Sequence, residues 1–254
     1  MSDGVKATVD CHVKILNEAV VERAKQAGLD VLVYAPHFTR LPEIRDQASA
    51  YSDDDLLVVP AREVFTGSWR NRKHVLAIGL SDPVPDFISL EAAMAEFDRQ
   101  DAAVLVPHPT FATVCLSETD IAQYAEMIDA LETFNPKHLP FHNRRARALA
   151  REYDLAPFTS SYAHLSRTVG TAYTVFETAI DTETDLLEAL HDPAPRRIAH
   201  ETGLERWETT ASELAHLGYE NTWKKVDRLF LSGTEPTHPN HIAYEGRFDD
   251  VSVY

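Results

Sequence analysis

Short apolar or alternating runs recur along the first two thirds of the chain, and stretches with helical spacing separate many of them. Ala7–Cys11, Asp30–Ala35, Leu56–Ala61, His74–Leu80, Ala102–Val106, Leu131–Phe134 and Pro157–Ser160 predict seven strands. Asn17–Gln26 predicts a helix, with Asn17 as cap, Glu18 in the first turn and Gly28 at the end. Further helical patterns run over Leu90–Arg99, Glu118–Ala130 and around Asn143–Tyr153. Strands alternating with helices over short connections predict parallel strands with helices outside. Seven such units close a small barrel more readily than they form an open sheet.

The pattern changes from about Glu177. A helix is expected at Asp185–His191, a strand at Arg197–His200 and a charge-rich helix between Leu204 and Leu217, followed by an irregular tail from Ser232 to Tyr254. The expected organisation is a barrel domain over residues 1–185 and an extension over 186–254 packed on it. No GxGxxG or GxxxxGK[ST] is present, so neither a dinucleotide fold nor a phosphate-loop NTPase is supported.

Forty acidic against 24 basic side chains give a net charge of −16, and only seven of the cations are lysines. Nucleic-acid binding needs a basic face, so this balance argues against it. An acidic, lysine-poor surface is expected of a protein working in high salt, where self-repulsion is screened. No apolar run reaches the roughly 20 residues of a membrane span, and MSDGVKATVD lacks a signal-peptide pattern, which points to a cytosolic protein. Cys11 and Cys115 make neither a disulfide framework nor a four-thiolate zinc site.

The histidines fall at strand boundaries. His12, His37, His108 and His164 follow strands one, two, five and seven, Glu63 follows strand three, and His74 opens strand four. In α/β barrels the reactive residues sit at the carboxyl ends of the strands, a rule His74 fits least well. One histidine at a strand end is ordinary, but the series points to a metal cluster of imidazole and carboxylate suited to zinc, manganese or iron.

The motifs DCHVK (10–14), GLDVLVYAPHFT (28–39), AREV (61–64), KHVLAIGL (73–80), VLVPHP (104–109), ETFN (132–135) and SSYAHLSRTVGTAYT (160–174) occur in the order found in the PHP (polymerase and histidinol phosphatase) superfamily, which the chain resembles over roughly residues 7 to 185. The resemblance implies a distorted (β/α)7 barrel, here with a C-terminal α/β extension, whose strand ends hold two or three metal ions that hydrolyse phosphoesters.

Departures from the family motifs shape the expected site. Lys14 replaces the second histidine of D-x-H-x-H, Pro36 precedes His37 where D-H is usual, and Tyr162 stands for the aspartate of D-x-H. By the resemblance, Glu63, His74 and His108 retain one complete ion site. His12 and Glu63 are what remains of a second, and His37 and His164 of a third. The expectation is one or two divalent ions (Zn, Mn or Fe) per chain, with the Lys14 ammonium beside Glu63 in place of a lost ion. Arg167, and the basic run Arg70, Arg72 and Lys73, are candidate phosphate clamps. The implied activity is metal-dependent hydrolysis of a small phosphomonoester or nucleotide. The alternative is an inactive scaffold that binds a ligand or partner.

Overall fold

The computed structural model describes residues 6–68, 71–110, 114–192, 195–201 and 236–253. The expected helix between Leu204 and Leu217, and Arg70, lie outside these residues. The elements run β1 (Ala7–Val13), α1 (Glu18–Gln26), β2 (Val31–Tyr34), α2 (Leu41–Tyr51), β3 (Leu57–Thr66), β4 (Lys73–Ile78), α3 (Leu90–Arg99) and β5 (Ala103–Val106). They continue with α4 (Glu118–Gln123), β6 (Ala130–Phe134), α5 (Pro140–Glu152), β7 (Ala156–Thr159), β8 (Ala172–Phe176), α6 (Glu183–His191) and β9 (Arg196–His200).

Among the described residues these strands form one sheet in the order β7-β6-β5-β4-β3-β2-β1-β8-β9. The sheet curls until β7 meets β8. There the Thr174 hydroxyl accepts from the Thr159 N–H and donates to the Thr159 carbonyl, both at 3.0 Å. The result is a distorted α/β barrel, as expected. Among the seven predicted strands the all-parallel expectation needs correction at β4, and β8, outside those seven, also runs antiparallel to its neighbour β1. β1, β2 and β3 are parallel, as are β5, β6 and β7, but β4 runs antiparallel to both β3 and β5. A helix is needed to cross between parallel strands, whereas β3 and β4 are joined by a short hairpin. The reversal resolves the anomaly of His74: the start of β4 lies on the rim where β3 and β5 end.

Two elements escape the sequence pattern. Helix α2 follows Arg40, which makes no side-chain cap, and β8 overlaps only the end of the motif over residues 160–174. The expected Glu118–Ala130 helix stops at Gln123 and tightens to a 3-10 turn at Ala125–Met127. The Asn17 cap of α1 is present, its side chain accepting from the Val20 N–H at 3.1 Å.

Inward-facing positions follow the two-residue period of each strand. Val31, Val33 and Ala35, then Val59 and Ala61, then Leu76 and Ile78, and Ala103 and Leu105 share one buried apolar cluster inside the barrel with Leu186 and Leu190 of α6. Continued one step toward the rim, the same rows reach His37, Glu63 and His74. One end of the barrel is thus filled with aliphatic side chains and the other with chemistry. β1 departs from the period. A register irregularity between Asp10 and Val13 accompanies the move of Val13 to the outer cluster, while His12 and Lys14 come to Glu63. Re-aiming side chains is what such bulges do.

The last described segment ties down the loop between β4 and α3. The Asp86 N–H donates to Thr237 O (2.8 Å), Ser89 to Val251 O (3.0 Å), and Val253 to Phe87 O (3.0 Å). Tyr244 and Phe248 are buried in the outer core. No helix among the described residues is long and apolar enough to cross a membrane.

Candidate metal centre

Glu63 is fully buried at the centre of the rim, and its two oxygens face different partners. Oε1 lies 3.1 Å from His108 Nε2, 3.3 Å from His74 Nδ1 and 3.7 Å from His12 Nε2. Oε2 lies 2.6 Å from Lys14 Nζ and 3.1 Å from His37 Nδ1. Sheet register explains the pairing with His74. Its cross-strand partner is Phe65, and Glu63 sits two residues before Phe65 on the same face. The phenyl ring of Phe65 lies 3.9 Å from the His74 ring, between centroids.

Glu63, His74 and His108 each offer one donor atom, and these atoms lie within 4.8 Å of one another. Two imidazoles and a carboxylate with no thiolate suit zinc, iron or manganese. The protonation states fit as well. Burial favours the neutral form of Glu63, but the Lys14 ammonium and the surrounding rings outweigh it and hold the carboxyl well below the usual range. Burial, reinforced by Lys14, drives His12 and His37 well below the ordinary imidazole value, and burial lowers His74 too. Neutral imidazole and ionised carboxylate are the ligating forms. Neither ring nitrogen of His12 or His74 makes a hydrogen bond, although both rings are buried. Buried polar atoms need partners, so the residues present fit a cation.

Lys14 is as buried as the carboxylate it faces, and Nζ also donates to Ala35 O at 2.6 Å. Burial, only partly offset by Glu63, brings its pKa down to about 8. Tyr162 packs between the rings of His12 (4.9 Å), His164 (4.9 Å) and His108 (5.2 Å). His37 and His164 have ring centroids 5.9 Å apart. The structure therefore gathers His12, Lys14, His37, Glu63, His74, His108 and His164 at one rim. Arg167 is not gathered with them: it is exposed on the 3-10 turn Ser166–Thr168. Lys73 is held by Asp120 at 2.6 Å.

Two contributors went unread in the sequence. Glu132 enters the sequence reading only within the motif ETFN. It is buried, accepts from the His108 N–H (2.6 Å), Asn135 Nδ2 (2.9 Å) and Ser160 Oγ (2.9 Å), and so fixes the backbone that carries His108. His108 itself has a left-handed backbone, φ 35°, which is uncommon outside glycine. Lys137, in the turn after β6, is the second: it is buried, with Nζ 3.1 Å from His164 Nδ1. Its signal is the Asn-Pro turn that precedes it, which reads as an ordinary loop.

Residues 140–194 match the family model described as PHP-associated. No curated protein matches the chain. Among solved structures, PsfC from Pseudomonas syringae PB-5123 superposes with a TM-score of 0.64 at 17% identity, over 84% of this chain and 98% of that one. The lesion-specific endonuclease PfuEndoQ from Pyrococcus furiosus gives 0.59 at 16% identity, over 76% of this chain and 58% of that one. An amidohydrolase from Chromobacterium violaceum, with bound sulfate and no metal, gives 0.55 at 13% identity, over 78% of this chain and all of that one. At these identities the likeness is one of fold. The barrel that carries this ring of rim histidines resembles these structures in fold, and within it residues 140–194 are similar to the PHP-associated family.

Proposed function

We propose that the chain is a metal-dependent phosphoesterase that hydrolyses a small phosphomonoester or nucleotide with a single divalent ion, held by Glu63, His74 and His108. The division of the Glu63 carboxylate supports this reading: Oε1 faces the two histidines, and Oε2 is taken by Lys14 at 2.6 Å. A bridging carboxylate shared by two ions would need both oxygens.

When bound, a divalent ion polarises a phosphoryl oxygen and lowers the pKa of a coordinated water. The chain supplies the rest. Lys14 holds Glu63 ionised and places a fixed positive charge beside the metal ligands, where it favours an approaching phosphoryl group. His12 and His37 face Glu63 as neutral rings able to hydrogen-bond an anion. Arg167, exposed on the turn after His164, remains a rim candidate for the far end of a substrate. The net charge of −16 favours a small substrate over a polynucleotide, although PfuEndoQ is a lesion-specific endonuclease.

The test is a screen of nucleoside monophosphates and p-nitrophenyl phosphate with zinc, manganese or ferrous iron. Turnover that His74→Ala abolishes supports the reading. Lys14 also favours a second reading, an inactive scaffold that keeps its cleft for binding, because an ammonium on Glu63 stabilises the pocket without any ion. A folded protein with no turnover under any metal would favour the scaffold.

A further inference from the structure

Lys137 is positioned with more care than a surface lysine needs. Its backbone N–H donates to Asn135 Oδ1 at 2.9 Å, and the Asn135 N–H donates in turn to Asn143 Oδ1 at 3.0 Å. Asn135 Nδ2 meets Glu132 at 2.9 Å, so the turn is stapled to the same carboxylate that holds His108. The turn sends the lysine inward. Nζ donates to the Tyr162 carbonyl, lies 3.1 Å from His164 Nδ1, and sits 4.2 Å from the centroid of the Tyr162 ring. Lys14 Nζ lies 5.8 Å from the same centroid. A tyrosine face accepts a cation without adding a negative charge, so two buried ammoniums share one neutral ring as a neighbour.

From this geometry we infer that Lys137 is a positioning residue that withholds His164 from metal: its ammonium occupies the Nδ1 lone pair, so the ring presents an Nε2–H donor to the site. An ammonium has hydrogens and no lone pair, so a nitrogen at hydrogen-bond distance from it serves as acceptor. A neutral imidazole that accepts at Nδ1 carries its proton at Nε2, and neither nitrogen then has a lone pair for an ion. The His37 and His164 pair therefore takes an anionic oxygen, such as one of a phosphoryl group, rather than a second cation. With Lys14 on Glu63 and Lys137 on His164, two fixed monocations stand where further ions would bind. This rests on the single-metal reading for the ion at Glu63, His74 and His108, but the tautomer does not depend on it.

A long-range ¹H–¹⁵N correlation spectrum of the metal-free full chain reads the tautomer directly, with the His164 signals identified by their loss in His164→Gln. The expected result is the Nε2–H form in the wild type, retained in Lys137→Arg and shifted toward Nδ1–H in Lys137→Met. An Nδ1–H ring in the wild type, donating to the Tyr162 carbonyl 3.0 Å away, would overturn the proposal even if no lysine variant folded. The second readout is zinc per chain. Lys137→Met should bind one more ion than the wild type, and adding His164→Gln should remove it. A folded Lys137→Met with unchanged stoichiometry would also overturn the proposal. A wild type that binds no zinc yet shows the Nε2–H form would defeat the single-metal reading and leave the role of Lys137 intact.

Discussion

Lys14 Nζ and Glu63 Oε2 lie 2.6 Å apart, both out of contact with solvent. Two opposite charges removed from water are stable only together, because each lone partner would carry its full desolvation cost. The pair therefore sets both the stability of the rim and the number of ions it accepts.

Truncation of the lysine should expose that coupling. Lys14→Met leaves Glu63 buried and uncompensated, a change of about 3–5 kcal/mol by analogy with other broken buried pairs. Zinc should restore part of the loss, since the ion takes over the charge that the ammonium held. Urea unfolding with and without zinc checks this. A variant that loses nothing without metal would show that the ion pair is not what stabilises the rim.

Acid should destabilise the metal-free protein early. His12, His37, His74 and His138 all have lowered pKa values from burial, His138 to about 3. Unfolded, they take up protons near 6.5, so below that pH the unfolded state binds more protons and stability falls as pH falls. Each contributes up to about 1.4 kcal/mol per pH unit. Asp10 works the other way: burial raises it from 3.8 to about 6, so its contribution is present at low pH and is lost as pH rises through 6. Glu132, also raised by burial, acts in the same sense as Asp10, so four groups work against two and the net slope between pH 6.5 and 4.5 should be positive. Thermal melts across that range test it, and a flat profile would contradict the buried neutral rings.

Support of a ligand can be separated from ligation. Glu132 bonds the His108 backbone and touches no ligating nitrogen. Glu132→Ala should weaken zinc binding by about 10–100-fold, as loss of an outer partner does elsewhere. Competition against a chromophoric chelator measures it, and an unchanged affinity would mean that β5 alone orients His108.

The ligands themselves should be less forgiving. His74→Ala or His108→Ala removes one of three donors and should abolish tight binding, whereas Arg167→Ala should leave metal content unchanged because Arg167 is exposed on its turn. Metal analysis of the three purified variants decides the point.

Most of the barrel was legible because its inward rows keep a two-residue period: Val59 and Ala61 lead on to Glu63 on the same face, where the row turns from aliphatic to chemical. The reversal of β4 was not legible. A short hairpin and a short crossover look alike in sequence, and His74 seemed misplaced only because its strand was assumed to run with the others. Helix α2 was missed for a local reason, since Arg40 offers no capping side chain. The contact of Lys14 with Glu63 was implied by the family resemblance, in which Lys14 replaces the second histidine of the first motif. Lys137 had no such frame. Its role depends on a turn folding a cation inward against Tyr162 and His164, 25 and 27 residues further on, and no local pattern carries that information.

The most direct measurement is the metal content of the full chain, purified without chelator and then equilibrated with zinc, by inductively coupled plasma mass spectrometry. One ion per chain is expected, lost in His74→Ala. Two or three ions in the wild type would contradict it, because Lys14 and Lys137 could not then be standing where further ions bind.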